Sequence, residues 1–379
     1  MVIKTLTCHN VYNYGASLQA FALQEHLKQM GHQVEIIDYL PPYMDKAYRI
    51  RFDLYSVSKS SKYYKYVEIM PFLNYLFVIK NFIQHLIKMY RQRNRKKAFD
   101  FFTKNKLQLT NKHYRTYVEL LDANLSADAF IVGSDQVWNP LFNNGRDPSF
   151  FLEFVPENKK KISYAASFGV SQLQPEDSKN ISKWLKAFSW ISVRESTGVK
   201  LLHDMNIRAE HGIDPVFLLT QDKWRHLCDE AEGDYPSDYI LVYNLGAVSD
   251  EIKHCATTLA SNKDLKIIAV EDSKEIKYAD CSFNDCGPTE FVKLISNASY
   301  VVTNSFHATA FSLIFNKEFF VYIKNTTSSR ISDVLSMVKL SERMNTTNFE
   351  LSVNWDNVNE MLNDTICSSK KLLNNNLNI

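Results

Sequence analysis

Chemistry is most concentrated where an apolar run hands over to a helical pattern, in Tyr300-Val-Val-Thr-Asn-Ser-Phe-His307-Ala-Thr-Ala-Phe-Ser-Leu-Ile-Phe315. The run stops at Thr303, Asn304 and Ser305, and the helix starts close to His307. In open α/β sheets, ligands bind beyond the carboxyl ends of strands, where helix N-termini offer unpaired N–H groups and partial positive charge. Such a place suits an anion, and a histidine in it can move a proton. The plainer alternative is a helix-start histidine hydrogen-bonded to backbone. Arg330, in Ser328-Ser-Arg330-Ile-Ser-Asp333, opens the helix after the next strand and can offer a cation from a neighbouring loop.

Three other turns carry polar residues at the same kind of position. His9-Asn10-Val-Tyr-Asn13-Tyr14-Gly15-Ala16 follows the first strand, and Gly15 permits close backbone approach ahead of a helix that can hold an anion or a hydroxyl-rich ligand. A tight turn capped by Asn13 explains it equally well. Gly133-Ser134-Asp135-Gln136-Val-Trp138-Asn139 offers hydrogen-bonding groups for sugar hydroxyls, an aromatic face for a pyranose, and in Asp135 a general base. Gly-Ser-Asp is also ordinary turn chemistry. Trp190-Ile-Ser-Val-Arg194-Glu195 places a guanidinium at a strand end, where it can hold a carboxylate or phosphate bidentately or simply pair with Glu195. No GxGxxG and no Walker lysine follows a strand, so dinucleotide and ATP binding gain no support.

The elements that must position these turns are legible as alternation. Val2 to Leu6, His32 to Tyr39, Ala129 to Gly133, Lys161 to Ala166 and Trp190 to Val193 read as strands, with helices over Gly15 to Met30 and Glu176 to Phe188. Past a polar seam at Gln221 to Ser237, strands at Tyr239 to Tyr243, Leu265 to Val270, Tyr300 to Thr303 and Phe319 to Ile323 alternate with helices near 250–262, 288–297, 306–316 and 329–339. The expected fold is α/β, with two Rossmann-like doubly wound domains, 1–219 and 220–379, facing a cleft in the GT-B manner. The Asn-rich tail, Asn374-Asn-Asn-Leu-Asn378, is expected to fray.

Charge separates one stretch from the rest. The chain carries +2 overall, yet 46–115 holds 17 Lys plus Arg against Asp53, Glu68 and Asp100, a local +14 that leaves −12 elsewhere. Aromatics crowd the same helical insertion, including Tyr63, Tyr64, Tyr66, Phe72, Phe99, Phe101 and Phe102. A basic, aromatic-rich surface fits an anionic membrane face or another polyanion; a merely solvated insertion fits as well. Nucleic acid is not expected, since no recognition motif accompanies the charge. Six cysteines lie scattered without metal-ligand spacing, so reduced thiols and no metal site are expected. The first residues read directly into a strand, so no signal peptide is expected. The longest apolar run, Ile69 to Ile79, is shorter than the roughly 20 residues a span needs. The expected location is cytoplasmic, at most peripheral to the inner membrane face.

Taken as an ordered set, these stretches resemble the polysaccharide pyruvyl transferase family. The resemblance is carried by Asn13-Tyr-Gly15 with Leu18-Gln-Ala-Phe-Ala-Leu-Gln24, Phe130-Ile-Val-Gly-Ser-Asp-Gln-Val-Trp-Asn-Pro140, Ile162-Ser-Tyr-Ala-Ala-Ser-Phe-Gly169, Ile191-Ser-Val-Arg-Glu195, Asp214-Pro215, Gly287-Pro-Thr-Glu-Phe291 and Val301-Val-Thr-Asn-Ser-Phe-His307. It implies a GT-B-like fold and transfer of a pyruvyl group from phosphoenolpyruvate, the donor substrate, to a sugar, with no further cofactor. Arg194 then matches a donor-binding arginine and His307 a catalytic histidine. Asn304, Ser305 and Arg330 fall on the donor side, and Asn13, Tyr14, Gly15, Ser134, Gln136 and Trp138 on the acceptor side. Many characterised members read Arg-Leu-His where this chain reads Ser305-Phe306-His307, so one donor-binding cation must come from elsewhere, with Arg330 and Lys324 the candidates.

The implied chemistry suits these residue types. Phosphoenolpyruvate carries a carboxylate and a phosphate, which want cations and helix N-termini, and protonating its enol carbon wants an acid near neutral pH such as a histidine, ordinarily at roughly 6.5. An acceptor built on a lipid diphosphate would bring the enzyme to the membrane, giving the basic insertion a role. Two other readings stand beside this one: a GT-B glycosyltransferase using a nucleotide sugar, and a non-catalytic glycan-binding member of the same fold.

Overall fold

The computed structural model describes residues 1–44, 71–246, 249–271, 276–323 and 329–378. Two parallel sheets organise it. The first contains β1 (Val2–Leu6), β2 (Gln33–Ile36), β3 (Ala129–Val132), β4 (Lys160–Ala166), β5 (Trp190–Val193) and β6 (Glu210–His211), in the order β2-β1-β3-β4-β5-β6. The second contains β7 (Ile240–Tyr243), β8 (Ile267–Val270), β9 (Cys281–Phe283), β10 (Tyr300–Thr303) and β11 (Glu318–Val321), in the order β11-β10-β7-β8-β9. Central strands such as Ala-Phe-Ile-Val in β3 and Ile-Leu-Val-Tyr in β7 are buried along their whole length, because helices cover both faces of a parallel sheet. The architecture is two Rossmann-like doubly wound units, GT-B-like in arrangement.

Local signals set the helices that matter here. Asn13 caps α1 (Tyr14–Gln29) by accepting from Ala16 N, and Gly31, at φ 86°, ends it in the left-handed region where only glycine is unstrained. The insertion contributes α2 (Pro71–Lys106), 36 residues long. Its last turns dock through buried Phe99 and Phe102, while Arg95 lies over the rings of Tyr14 and Phe99 and donates to the Tyr12 carbonyl. Residues 46–70 of the basic segment, and Lys324, lie outside the described residues. Among the described residues no helix is long and apolar enough to cross a membrane.

The units are joined by aromatic packing as well as by chain. Tyr14 stacks on Phe291 with ring centres 4.3 Å apart, and its hydroxyl donates to the Cys286 carbonyl. The tail departs from expectation. Trp355–Leu377 forms one long helix that returns to the first unit, where Leu373 and Leu377 are buried and Lys160 Nζ donates to the carbonyls of Asn376 and Leu377. The asparagines sit on its wet face; the leucines four apart hold it down.

Candidate active site

In each sheet the strand order reverses once. The chain leaves β1 toward β2 and resumes at β3 on the other side, and it leaves β7 toward β8 and β9 before resuming at β10. Beyond the carboxyl ends of these strands the two reversal points face one cavity of about 780 Å3. Its walls include Cys8, Asn13, Gly15, Asp135 and Gln136 from the first unit, and Tyr243, Asn304, Ser305, His307 and Arg330 from the second.

The turn after β10 is held mostly by its own polar residues. Thr303 Oγ1 donates to the Tyr243 carbonyl and accepts from Ser305 N, and Asn304 Oδ1 accepts from Leu245 N. Ser305 caps the helix Phe306–Ile314 by accepting from Ala308 N. This fixes His307 in the first helical turn, only 8% exposed, with its ring crossing into the first unit. Its Nε2 stands 3.7 Å from Asp214 Oδ2, within ion-pair range and without a hydrogen-bond partner.

Gly15 explains how the ring fits. A Cβ built on that glycine would lie 1.9 Å from His307 Nδ1 and 2.3 Å from Cε1. The close approach expected there belongs to the histidine of the other unit, and Asn13 caps the same helix as a turn residue does.

Behind the cleft wall runs a line of charge. Arg194, with its side chain 1% exposed, donates through Nη1 to Asp214 Oδ2 at 2.6 Å and through Nη2 to Asp135 Oδ1 at 3.2 Å. Glu195 is not its hydrogen-bonded partner, because one Glu195 oxygen accepts from Ser167 Oγ and from the backbone N–H groups of Phe168 and Gly169. Arg194 does not line the main cavity; Arg330 does, with Nη1 4.0 Å from Asp135.

Electrostatics keep both aspartates ionised. Burial works against ionisation of Asp135, yet Arg194, His307 and Arg330 outweigh it and hold its carboxyl below the usual range. Burial likewise opposes ionisation of Asp214, and contact with His307 and Arg194 drives its carboxyl well below that range. Burial, with repulsion from Arg194, pushes Arg330 down to about 10, so its guanidinium stays charged at neutral pH. Three buried donors remain without partners around these carboxylates: Arg194 Nε, Arg330 Nε and His307 Nε2. A buried polar group without a partner is costly, which makes such a cluster a place for ligand oxygens.

Two residues expected on the acceptor side are corrected by their burial. Trp138 is fully enclosed, stacked on Phe151 at 5.5 Å, with its indole N–H donating to the Phe150 carbonyl, so no sugar reaches its face. Ser134 is also fully buried and donates to the Ala165 carbonyl, supporting the turn that presents Asp135. Tyr14 is buried between the units, while Gln136 lines the cleft. Asp214 joins the site unexpectedly; its place immediately before Pro215, after the last strand of the first sheet, is the signal for it in the sequence. Phe142, 53% exposed on the cleft wall, was also missed and offers the aromatic face that Trp138 does not.

A two-unit α/β enzyme is defined by this pairing of reversal points around a histidine, two arginines and two carboxylates. The chain belongs to the polysaccharide pyruvyl transferase family, whose sequence model matches residues 13–324, and it is accordingly a transferase. No curated protein sequence matches it. In overall shape it is similar to UDP-GlcNAc 2-epimerase from Methanocaldococcus jannaschii, at 12% identity and TM-score 0.47 over 97% of this chain and 93% of that one. It is also similar to Arabidopsis thaliana UGT89C1 complexed with UDP-L-rhamnose, at 9% identity and TM-score 0.48 over 100% and 97%. UDP-GlcNAc 2-epimerase from Neisseria meningitidis gives 10% identity and TM-score 0.48 over 100% and 99%.

Proposed function

We propose that the protein transfers a pyruvyl group from phosphoenolpyruvate to two hydroxyls of one sugar in a cell-surface polysaccharide or its lipid-linked precursor, forming a cyclic ketal. The observation that carries this reading is the cluster of buried, unpartnered donors on Arg194, Arg330 and His307 beside an open cleft. A small ligand with both carboxylate and phosphate oxygens matches it. Arg330, which lines the cleft, supplies the cation that Ser305 does not, and Arg194 adds its charge from behind Asp135.

In this scheme His307, as imidazolium, gives its proton to the enol carbon of the donor. The neighbouring carbon becomes an oxocarbenium-like electrophile, to which one sugar hydroxyl adds. The bond to phosphate then breaks, and the second hydroxyl closes the ring. Of the two hydroxyl protons released, one replaces that lost from His307 and the other leaves with phosphate, so the balance is donor plus diol to ketal plus phosphate. Asp214 stabilises the charged ring from 3.7 Å. Asp135, on the cleft wall, accepts a hydrogen bond from the attacking hydroxyl and orients it.

Incubation with phosphoenolpyruvate and a soluble acceptor glycan tests the proposal through phosphate release and a product heavier by about 70 Da, pyruvate minus water. Turnover of a nucleotide sugar with none of phosphoenolpyruvate would establish the glycosyltransferase reading instead.

A further inference from the structure

The long helix α2 has two faces of different kinds. At 3.6 residues per turn, Ile79, Ile83, Tyr90 and Phe101 fall within about 40° of one another, roughly opposite the buried Arg95, Phe99 and Phe102. The outer four are 52%, 50%, 65% and 66% exposed. Arg93, Lys97 and Lys104 lie within about 65° of the same line, and Arg93 stacks over the Tyr90 ring at 4.0 Å. Across 71–106 there are nine Lys or Arg and one acidic residue, Asp100, which Lys96 already pairs.

We propose that this face docks on an anionic lipid bilayer, with the apolar stripe entering the headgroup boundary and the basic residues meeting lipid phosphates. Each part of the pattern selects that occupant. Isoleucine and phenylalanine gain by leaving water, which a polyanion such as nucleic acid does not allow them to do. A second copy of the same face would bring two strongly basic helices together against their own repulsion. A bilayer of anionic lipid satisfies the stripe and the charge at once, and helix α2, about 54 Å long, lies along it rather than through it. The inference is independent of the catalytic reading, because vesicle binding needs no turnover.

Co-sedimentation of the full chain with vesicles of phosphatidylcholine alone, and of phosphatidylcholine mixed with phosphatidylglycerol, reads the proposal directly. Binding is expected only to the mixed vesicles, and Arg93→Gln with Lys97→Gln and Lys104→Gln should weaken it by about a hundredfold. Ile83→Ser with Phe101→Ser should weaken it by about tenfold or more at unchanged salt dependence. Lys200→Gln with Arg208→Gln, exposed basic residues elsewhere, should leave it unchanged. Tyr90→Trp should show an emission shift to the blue with mixed vesicles. Equal binding to both vesicle types, full retention in the serine pair, or no emission shift overturns the proposal. So does self-association that the serine pair abolishes, which would assign the stripe to a second copy.

Discussion

At the first reversal point Asn13 caps a helix and Gly15 leaves a space; at the second Ser305 caps a helix and His307 fills that space. The two turns share a design, a strand followed by a side-chain-capped helix start, but one contributes an absence and the other a titratable ring. Carboxylates Asp135 and Asp214 belong to the first unit, His307 and Arg330 to the second. The active geometry therefore exists only when both units are seated against one another, and each turn by itself is incomplete.

The largest effect should come from breaking the charge on the first side. Asp214→Asn leaves Arg194 buried with one carboxylate fewer and should destabilise the protein by about 3 kcal/mol, measured by denaturant unfolding. Turnover should fall as well, because His307 loses the carboxylate that stands 3.7 Å from its Nε2. Unchanged stability would mean that Arg194 needs Asp135 alone.

Next in size is Gly15→Ala, which tests whether the first turn's empty space is essential. The added methyl cannot coexist with the observed imidazole position, so ring or unit must shift, and displacement near an ångström costs about a hundredfold in kcat. Thermal melting should show a folded protein, with KM for the donor moving less than kcat. An alanine variant with full kcat would remove the histidine from this seat.

The same two turns separate what a sequence makes legible from what only the fold brings together. Both turns were visible because an apolar run that stops at polar residues before a helical period marks the carboxyl end of a strand. Their mutual fit was not, since Gly15 and His307 are 292 positions apart and the space is made by one unit for the other. Trp138 read as a sugar platform because a turn of Gly-Ser-Asp-Gln precedes it, yet the chain folds back at once and buries it on Phe151. The final helix was obscured by its asparagines, although Leu373 and Leu377 keep helical spacing within them.

A smaller effect should appear in acid. Asp135 and Asp214 have folded values below their ordinary one, so they stabilise the protein at pH above about 4 and that contribution is lost as pH falls through the folded values. Melting temperature should thus drop below about pH 4, with a shallower drop in Asp214→Asn. Identical slopes in the two proteins would show that other carboxylates dominate the acid limb.

The least change should follow Phe142→Ala, and it separates the cleft's wall from its floor. Trp138 and Phe142 lie four residues apart, one sealed in the core and the other half-exposed to the cavity. Losing an exposed ring removes little packing, so stability should hold within about 0.5 kcal/mol. If Phe142 supplies the stacking face for the acceptor, KM for the glycan should rise several-fold while KM for the donor and kcat stay put. A rise in donor KM instead would seat the donor, not the acceptor, against Phe142.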